Sequence, residues 1–159
     1  MNKEALRTRI ITLLEADYSL LLQAAKAAHD TATHEENIPD DKYETLALEA
    51  SYVAQGQANR AQEIKQAVQA FRGLALQTFT DNVPIRLTAL VVLVDEEGCN
   101  RAVFLGPAAG GLRLEFEGEE VMVITPQSPL GQALIGRQCG DFVELESGTL
   151  REYEIISVR

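Results

Sequence analysis

The sequence predicts an α+β protein in which an N-terminal antiparallel helical hairpin precedes a small antiparallel β-sheet domain with one short helix. Apolar residues recur at a spacing of three and four over residues 2–76, which keeps them on one helical face. From residue 85 onwards, short β-branched segments alternate with glycine-containing turns. We therefore predict a coiled-coil hairpin over residues 1–76, a linker over 77–84 and a sheet domain over 85–159.

Two apolar stripes define the arms of the predicted hairpin. The first stripe consists of Ile11, Leu14, Tyr18, Leu21, Ala25, Ala28 and Ala32. The second consists of Tyr43, Leu46, Ala50, Val53, Gln57, Arg60, Ile64, Ala67, Phe71 and Leu74. Pro39 disfavours helix at Ile38, so the chain should reverse direction between the stripes. Each arm needs the other to bury its stripe.

The predicted tip of the hairpin is acidic, with Asp40, Asp41 and Glu44 close together in the sequence. Magnesium prefers hard oxygen ligands, and Asp41 and Glu44 are spaced so that both carboxylates could serve one ion at the start of a helix. The same residues also suit a structural role. Asp40 or Asp41 can cap the second arm, and Glu44 is a favourable charge in its first turn. The residues alone leave both interpretations open.

Composition narrows the class of protein. The chain has 159 residues, a net charge of -10 and 46% hydrophobic residues. An acidic chain without a basic face is not expected to bind DNA by itself. The sequence has neither a long apolar run nor an apolar leader at its start, so we expect a cytoplasmic protein without membrane contact. Cys99 and Cys139 are far apart in the sequence and predict neither a disulfide framework nor a metal site.

The sheet domain is predicted from six strand-like segments and one helix. The strand segments are residues 85–94, 100–105, 112–116, 120–124, 141–146 and 151–158. Ser128 and Pro129 predict the start of the short helix, as an N-cap followed by proline in the first position. Leu130, Ala133 and Leu134 give this helix an apolar face, and Gly136 ends it.

The block from Thr125 to Gly136, followed by Gly140-Asp141 and the strand around Tyr153, resembles the C-terminal domain of the Gre transcript cleavage factors, GreA and GreB. The order of a helical hairpin and then this domain is similar to Gre as well. The resemblance implies an FKBP-like fold for the sheet domain. It also implies docking on the rim of the RNA polymerase secondary channel, with Ser128, Pro129 and Leu130 as partner-binding candidates. The hairpin would then enter the channel.

The resemblance can be carried to the tip by aligning Gln55-Gly56 with the glutamine-glycine of the second Gre helix. Asp41 and Glu44 then match the acids that help to hold a second Mg²⁺ at the polymerase active site. The implied protein is no enzyme itself but activates RNA cleavage by the polymerase, contacting the nascent RNA 3′ end only indirectly. Thr45 and Ala47 stand where the family has asparagine and tyrosine.

Three functional hypotheses follow. The first is a Gre-like factor that stimulates cleavage of backtracked RNA through Asp41, Glu44 and Mg²⁺. The second is a Gre-like channel binder that regulates or inhibits polymerase without efficient cleavage, which the changes at Thr45 and Ala47 permit. The third is an FKBP-like peptide-binding module with a coiled-coil arm, which likeness of fold alone would not establish.

Overall fold

The structure is a computed structural model that describes residues 1–33 and 41–159, and for side chains it excludes residues 28, 29, 31–33, 41–47, 49 and 50. Its elements, in chain order, are α1 (Lys3–Thr33), α2 (Asp41–Arg72), β1 (Leu90–Asp95), β2 (Asn100–Leu105), β3 (Arg113–Phe116), β4 (Glu119–Ile124), α3 (Pro129–Leu134), β5 (Phe142–Ser147) and β6 (Thr149–Val158). The predicted class, a long helical hairpin region followed by a sheet with one short helix, is confirmed.

The chain divides into two compact units. The first, which we call the sheet unit, contains Met1–Ile10 and Ala70–Arg159, and the second, the helical unit, contains Ile11–Gln69. Residues 77–84, which the sequence suggested as a linker, lie in the sheet unit, where Phe79 is buried in the hydrophobic core. None of the helices within the described ranges is long and apolar enough to cross a membrane.

The helical unit buries mainly small side chains. On α1, Leu14 and Ala25 of the predicted stripe are buried, and Ile11, Tyr18 and Leu21 are partly buried, so the first stripe is confirmed over this range. Alanine lets two helices approach closely, but it removes little apolar surface from water.

The second stripe was wrong at two positions in the middle of α2, and the side chains of its members Tyr43, Leu46 and Ala50 lie outside the described residues. We expected Val53 and Arg60 to face inward, but Val53 is 53% exposed and Arg60 is also exposed. Ala54 and Ala61, each one residue further along α2, are buried instead. As a result, Arg60 lies outside the packed face of α2, and the small residues Ala54 and Ala61 lie on it. Val53 remains exposed to solvent.

The sheet has six strands in the order β3-β4-β2-β1-β6-β5. Neighbouring strands run antiparallel in every pairing except that of β2 with β4, which is parallel. The predicted all-antiparallel sheet is therefore corrected to a mixed one. The connection after β2 leads to β3 at the edge of the sheet, and the chain then returns as β4 between β3 and β2. Because β4 runs antiparallel to β3, it lies parallel to β2.

The first strand also begins later than predicted. We expected extended structure from Ile85, but β1 starts at Leu90 because Thr88 has a φ of 76°, which is not compatible with a strand. The Thr88 hydroxyl accepts a hydrogen bond from the Gln77 N–H at 3.0 Å, and its own N–H donates to the Leu105 carbonyl at 2.8 Å. These bonds hold the unusual backbone conformation in place.

One face of the sheet packs against α3. Leu130 and Leu134 of α3 join inward side chains of β1, β2, β5 and β6 in one core, which includes Leu93, Leu105, Val143 and Ile155. A second buried region contains Phe71, whose ring lies so close to Gly106 that a Cβ there would come within 2.8 Å of a ring carbon. The sheet unit therefore buries large side chains on closely fitted surfaces.

Candidate functional site

The tip acids occupy the beginning of α2. The helix starts at Asp41, which places Asp41 and Glu44 in its first turn, as the sequence predicted. Asp40 lies outside the described residues, and so do the side chains of Asp41 and Glu44. The Mg²⁺ site at these two carboxylates, shared with polymerase, therefore stays a prediction.

Ser128 is the N-cap of α3. Its hydroxyl accepts a hydrogen bond from the Gly131 N–H at 3.0 Å and donates one to the Thr125 carbonyl at 2.7 Å. A Cβ at position 131 would collide with that same carbonyl, so only glycine allows the chain to approach this closely. Pro129 occupies the first turn, where its missing N–H costs nothing. Local sequence alone thus specifies the start of this helix.

The three partner-binding candidates differ in what they present to solvent. Leu130 is buried in the core of the sheet unit, and Ser128 is partly buried and engaged with its own loop. Pro129 is exposed. Partner binding by this segment stays a prediction, but the geometry gives the side chains separate tasks: Ser128 and Leu130 fix the helix, and Pro129 faces outward.

Beside α3 lies a cavity of about 450 Å³ that we call the α3–β5 groove. It is lined by Ala133, Arg137, Phe142, Val143, Glu144 and Glu152. Sequence reasoning missed it, although a signal was present. Val143 points into the core, so strand alternation puts Phe142 on the outward face together with Glu144.

A larger cavity of about 570 Å³ lies elsewhere on the sheet unit. Val92 forms part of its floor, flanked in the neighbouring strands by Ala102 and Ser157, whose small side chains leave the space open. Two of the carboxylates that line this cavity already form ion pairs. Glu117 lies 3.6 Å from the Met1 amino group, and Glu120 lies 3.6 Å from the Arg113 guanidinium.

One group of possible metal ligands occurs among the described residues, in the turn between β1 and β2. Ligand atoms of Asp95, Glu97 and Cys99 lie within 4.8 Å of one another. Asp95 Oδ1 already accepts hydrogen bonds from the N–H groups of Glu97 and Cys99, at 3.0 and 2.8 Å. This carboxylate closes the turn, and that structural role accounts for its position.

Lys3, at the start of α1, is partly buried in the sheet unit. Burial lowers the pKa of Lys3 below its ordinary value. Its ammonium group donates to the carbonyls of Gln77 and Thr88, and lies 4.6 Å from the centre of the Phe79 ring. These contacts fasten the start of α1 to the segment that precedes β1, so we assign Lys3 a structural role.

The sheet unit can be compared with known proteins. Residues 111–159 match the model of a family described as "Transcription elongation factor, GreA/GreB, C-term". The chain matches none of the curated proteins. The match covers β3, β4, α3, β5 and β6, and it confirms the resemblance that the block around Ser128 and Pro129 indicated.

Solved structures show a similarity over more of the chain. Gfh1, a GreA factor homolog of Thermus thermophilus, is 20% identical over 96% of this chain and 94% of that chain, with a TM-score of 0.41. Thermus aquaticus Gfh1 is 21% identical over 96% and 92%, with a TM-score of 0.39. A GreA/GreB factor from Nitrosomonas europaea is 19% identical over 65% and 78%, with a TM-score of 0.36.

The fold and the family match define the class. Residues 111–159 are similar to the C-terminal domain of GreA/GreB transcription elongation factors, and in this chain they follow a long helical hairpin region.

Proposed function

We propose that this protein is a bacterial RNA polymerase factor that docks through its sheet unit and stimulates hydrolysis of backtracked RNA through Asp41 and Glu44. The match of residues 111–159 to the GreA/GreB C-terminal domain is the observation that carries the proposal. The start of α2 at Asp41 supports it, because both acids then share one helical turn. The protein would act in the cytoplasm, where the polymerase works, with its hairpin in the secondary channel.

The carboxylates of Asp41 and Glu44 suit a metal site that is completed by ligands of the polymerase. Two carboxylates offer the oxygen ligands that Mg²⁺ prefers, but they are too few to hold the ion without further ligands from the polymerase. When bound, Mg²⁺ would lower the pKa of a water and stabilise charge on the phosphodiester. Asp41 and Glu44 would orient that site, and the sheet unit would place the hairpin.

The proposal is tested on a stalled, backtracked polymerase complex. Adding the full-length protein should accelerate cleavage, and Asp41→Ala with Glu44→Ala should reduce that stimulation about 100-fold, or about 2.7 kcal/mol of transition-state stabilisation. Affinity for polymerase should change little. Glu63→Ala is a matched control, because Glu63 is an exposed acid of the same helix that lies 3.9 Å from Arg60. Equal stimulation by the double variant and the wild type would reject a role for the tip acids.

A second function is favoured by one observation, the presence of Thr45 and Ala47 where the family has asparagine and tyrosine. Loss of those residues would leave the acids less well positioned, and positioning strongly affects rate. The protein would then bind the channel and slow nucleotide addition instead of promoting cleavage. Slowed addition on an unpaused complex, without cleavage at any magnesium concentration, would favour this alternative.

A further inference from the structure

Gly56 lies near the middle of α2, a helix of 32 residues. Glycine lowers the stability of a helix more than any residue except proline, because its backbone has the most conformational freedom to lose. A glycine in the interior of a long helix therefore needs a structural reason.

The usual reasons for a glycine do not apply to Gly56. It is not among the glycines with positive φ, and it lies far from both ends of the helix. A Cβ at this position would have no heavy atom of the described residues within 4 Å outside its own helical turn and its chain neighbours. Gly106, by contrast, leaves room for the Phe71 ring. The effect of Gly56 on the described structure is therefore a weaker helix.

The turn that contains Gly56 also gains little from packing. Ala54 and Ala61 are buried, but over residues 55–60 between them the side chain of Gln57 is partly buried and the other residues are exposed. Further along the same helix, residues 67–68 are buried. Since burial of apolar surface is the main source of helix stability in a folded protein, this turn has less to hold it than the segment that follows.

Two side-chain contacts support this turn from the surface. Gln55 Nε2 donates a hydrogen bond to Asn59 Oδ1 at 2.9 Å, and Arg60 lies 3.9 Å from Glu63 in an exposed ion pair. Exposed pairs three or four residues apart add only a little to the stability of a helix. They offset only part of the cost of Gly56.

The other helix of the hairpin region has no comparable position. The sequence of α1 contains neither glycine nor proline, and its commonest residues, alanine and leucine, are strong helix formers. The weak point thus belongs to α2 alone.

We propose that residues 55–60 of α2 form a joint at which this helix opens locally and reversibly, while α1 remains helical. The joint lets the part of α2 that begins at Asp41 change direction, while the segment beyond Ala61 keeps its packing. This inference is independent of the proposed function, because it assumes no partner.

Amide hydrogen exchange of the full-length protein, read by mass spectrometry and corrected for intrinsic exchange rates, tests the joint. In the wild type, residues 55–60 should exchange at least tenfold faster than residues 66–72 of the same helix. Gly56→Ala should slow exchange at residues 55–60 about fivefold, which corresponds to about 1 kcal/mol of helix propensity. The new methyl group has open space, so no neighbour has to move.

Ala58→Gly is the matched variant of opposite sign, because Ala58 is exposed two residues further along α2. It should speed up exchange at residues 55–60 about fivefold. Combining it with Gly56→Ala should return the exchange rate to that of the wild type, since the helix then again contains one glycine in this turn.

Residues 11–27 of α1 are the internal reference, and their exchange should be the same in the wild type and in all variants. If residues 55–60 of the wild type exchange as slowly as residues 66–72, or if Gly56→Ala leaves their exchange unchanged, the joint does not exist. If Gly56→Ala slows exchange in α1 by the same factor as in α2, the two helices open together, and the proposal is equally overturned.

Discussion

The sheet unit and the helical unit bury different kinds of side chain. The sheet unit encloses large residues completely, among them Phe71, Phe104 and Leu105, whereas the helical unit buries mostly alanines such as Ala54 and Ala61. It also leaves large apolar side chains in water, including Leu48 at 56% and Tyr52 at 70% exposure. Burial of apolar surface is the main source of stability, so the sheet unit should be the more stable part.

This difference suits a division of labour. A docking surface must keep its shape, and the sheet unit, through which we propose that the protein docks, has a well-packed core. An arm that enters a channel must be slim, and alanines at the helix contact allow that at the cost of stability. The contrast therefore supports assigning docking to the sheet unit and chemistry to the tip of the helical unit. Stability measurements on the two units test whether they differ in this way.

The largest expected effect is in the core of the sheet unit. Phe104 is completely buried, so Phe104→Ala should lower the free energy of unfolding by about 3–5 kcal/mol, through lost transfer energy and a new cavity. Leu48→Ala, at an exposed position of the helical unit, should change it by less than about 0.5 kcal/mol. Urea denaturation followed by circular dichroism measures both. Similar losses for the two variants would contradict the proposed difference between the units.

A smaller effect is expected at the cap of α3. Ser128→Ala removes the hydrogen bond to the Gly131 N–H and should cost about 1 kcal/mol of stability. Ser128→Asp keeps an acceptor at the cap and serves as the control, with most of the stability retained. Denaturation curves compare the two. Unchanged stability in Ser128→Ala would mean that the loop, and not its cap, fixes the start of the helix.

Local sequence signals predicted much of the fold. The cap of α3 was predictable because serine, proline and glycine each act within a few residues, and the six strands because β-branched alternation is local. The parallel contact between β2 and β4 was not, because the chain order does not show which strand inserts between two others. The inward face of α2 was misassigned at Val53 and Arg60, since a one-residue shift to Ala54 and Ala61 satisfies nearly the same spacing.

The candidate site was predictable only in part. Ser128 and Pro129 belong to a recognisable block, and Asp41 and Glu44 were found by alignment to a family pattern. The α3–β5 groove joins residues from α3, β5 and β6, whose proximity depends on the sheet order. The outward position of Phe142 could be read from the sequence, but the facing pair Glu144 and Glu152 requires the strand register.

We propose that docking and chemistry reside in different units, and one competition experiment distinguishes this arrangement from one in which the tip also docks. The Asp41→Ala, Glu44→Ala double variant should bind polymerase like the wild type but lack cleavage activity, so it should act as an inhibitor. Mixed in equal amounts with saturating wild-type protein on a backtracked complex, it should halve the cleavage rate, and a tenfold excess should nearly abolish it. If the wild-type rate is unaffected by a large excess of this variant, the tip acids are needed for docking itself, and the division of labour is wrong.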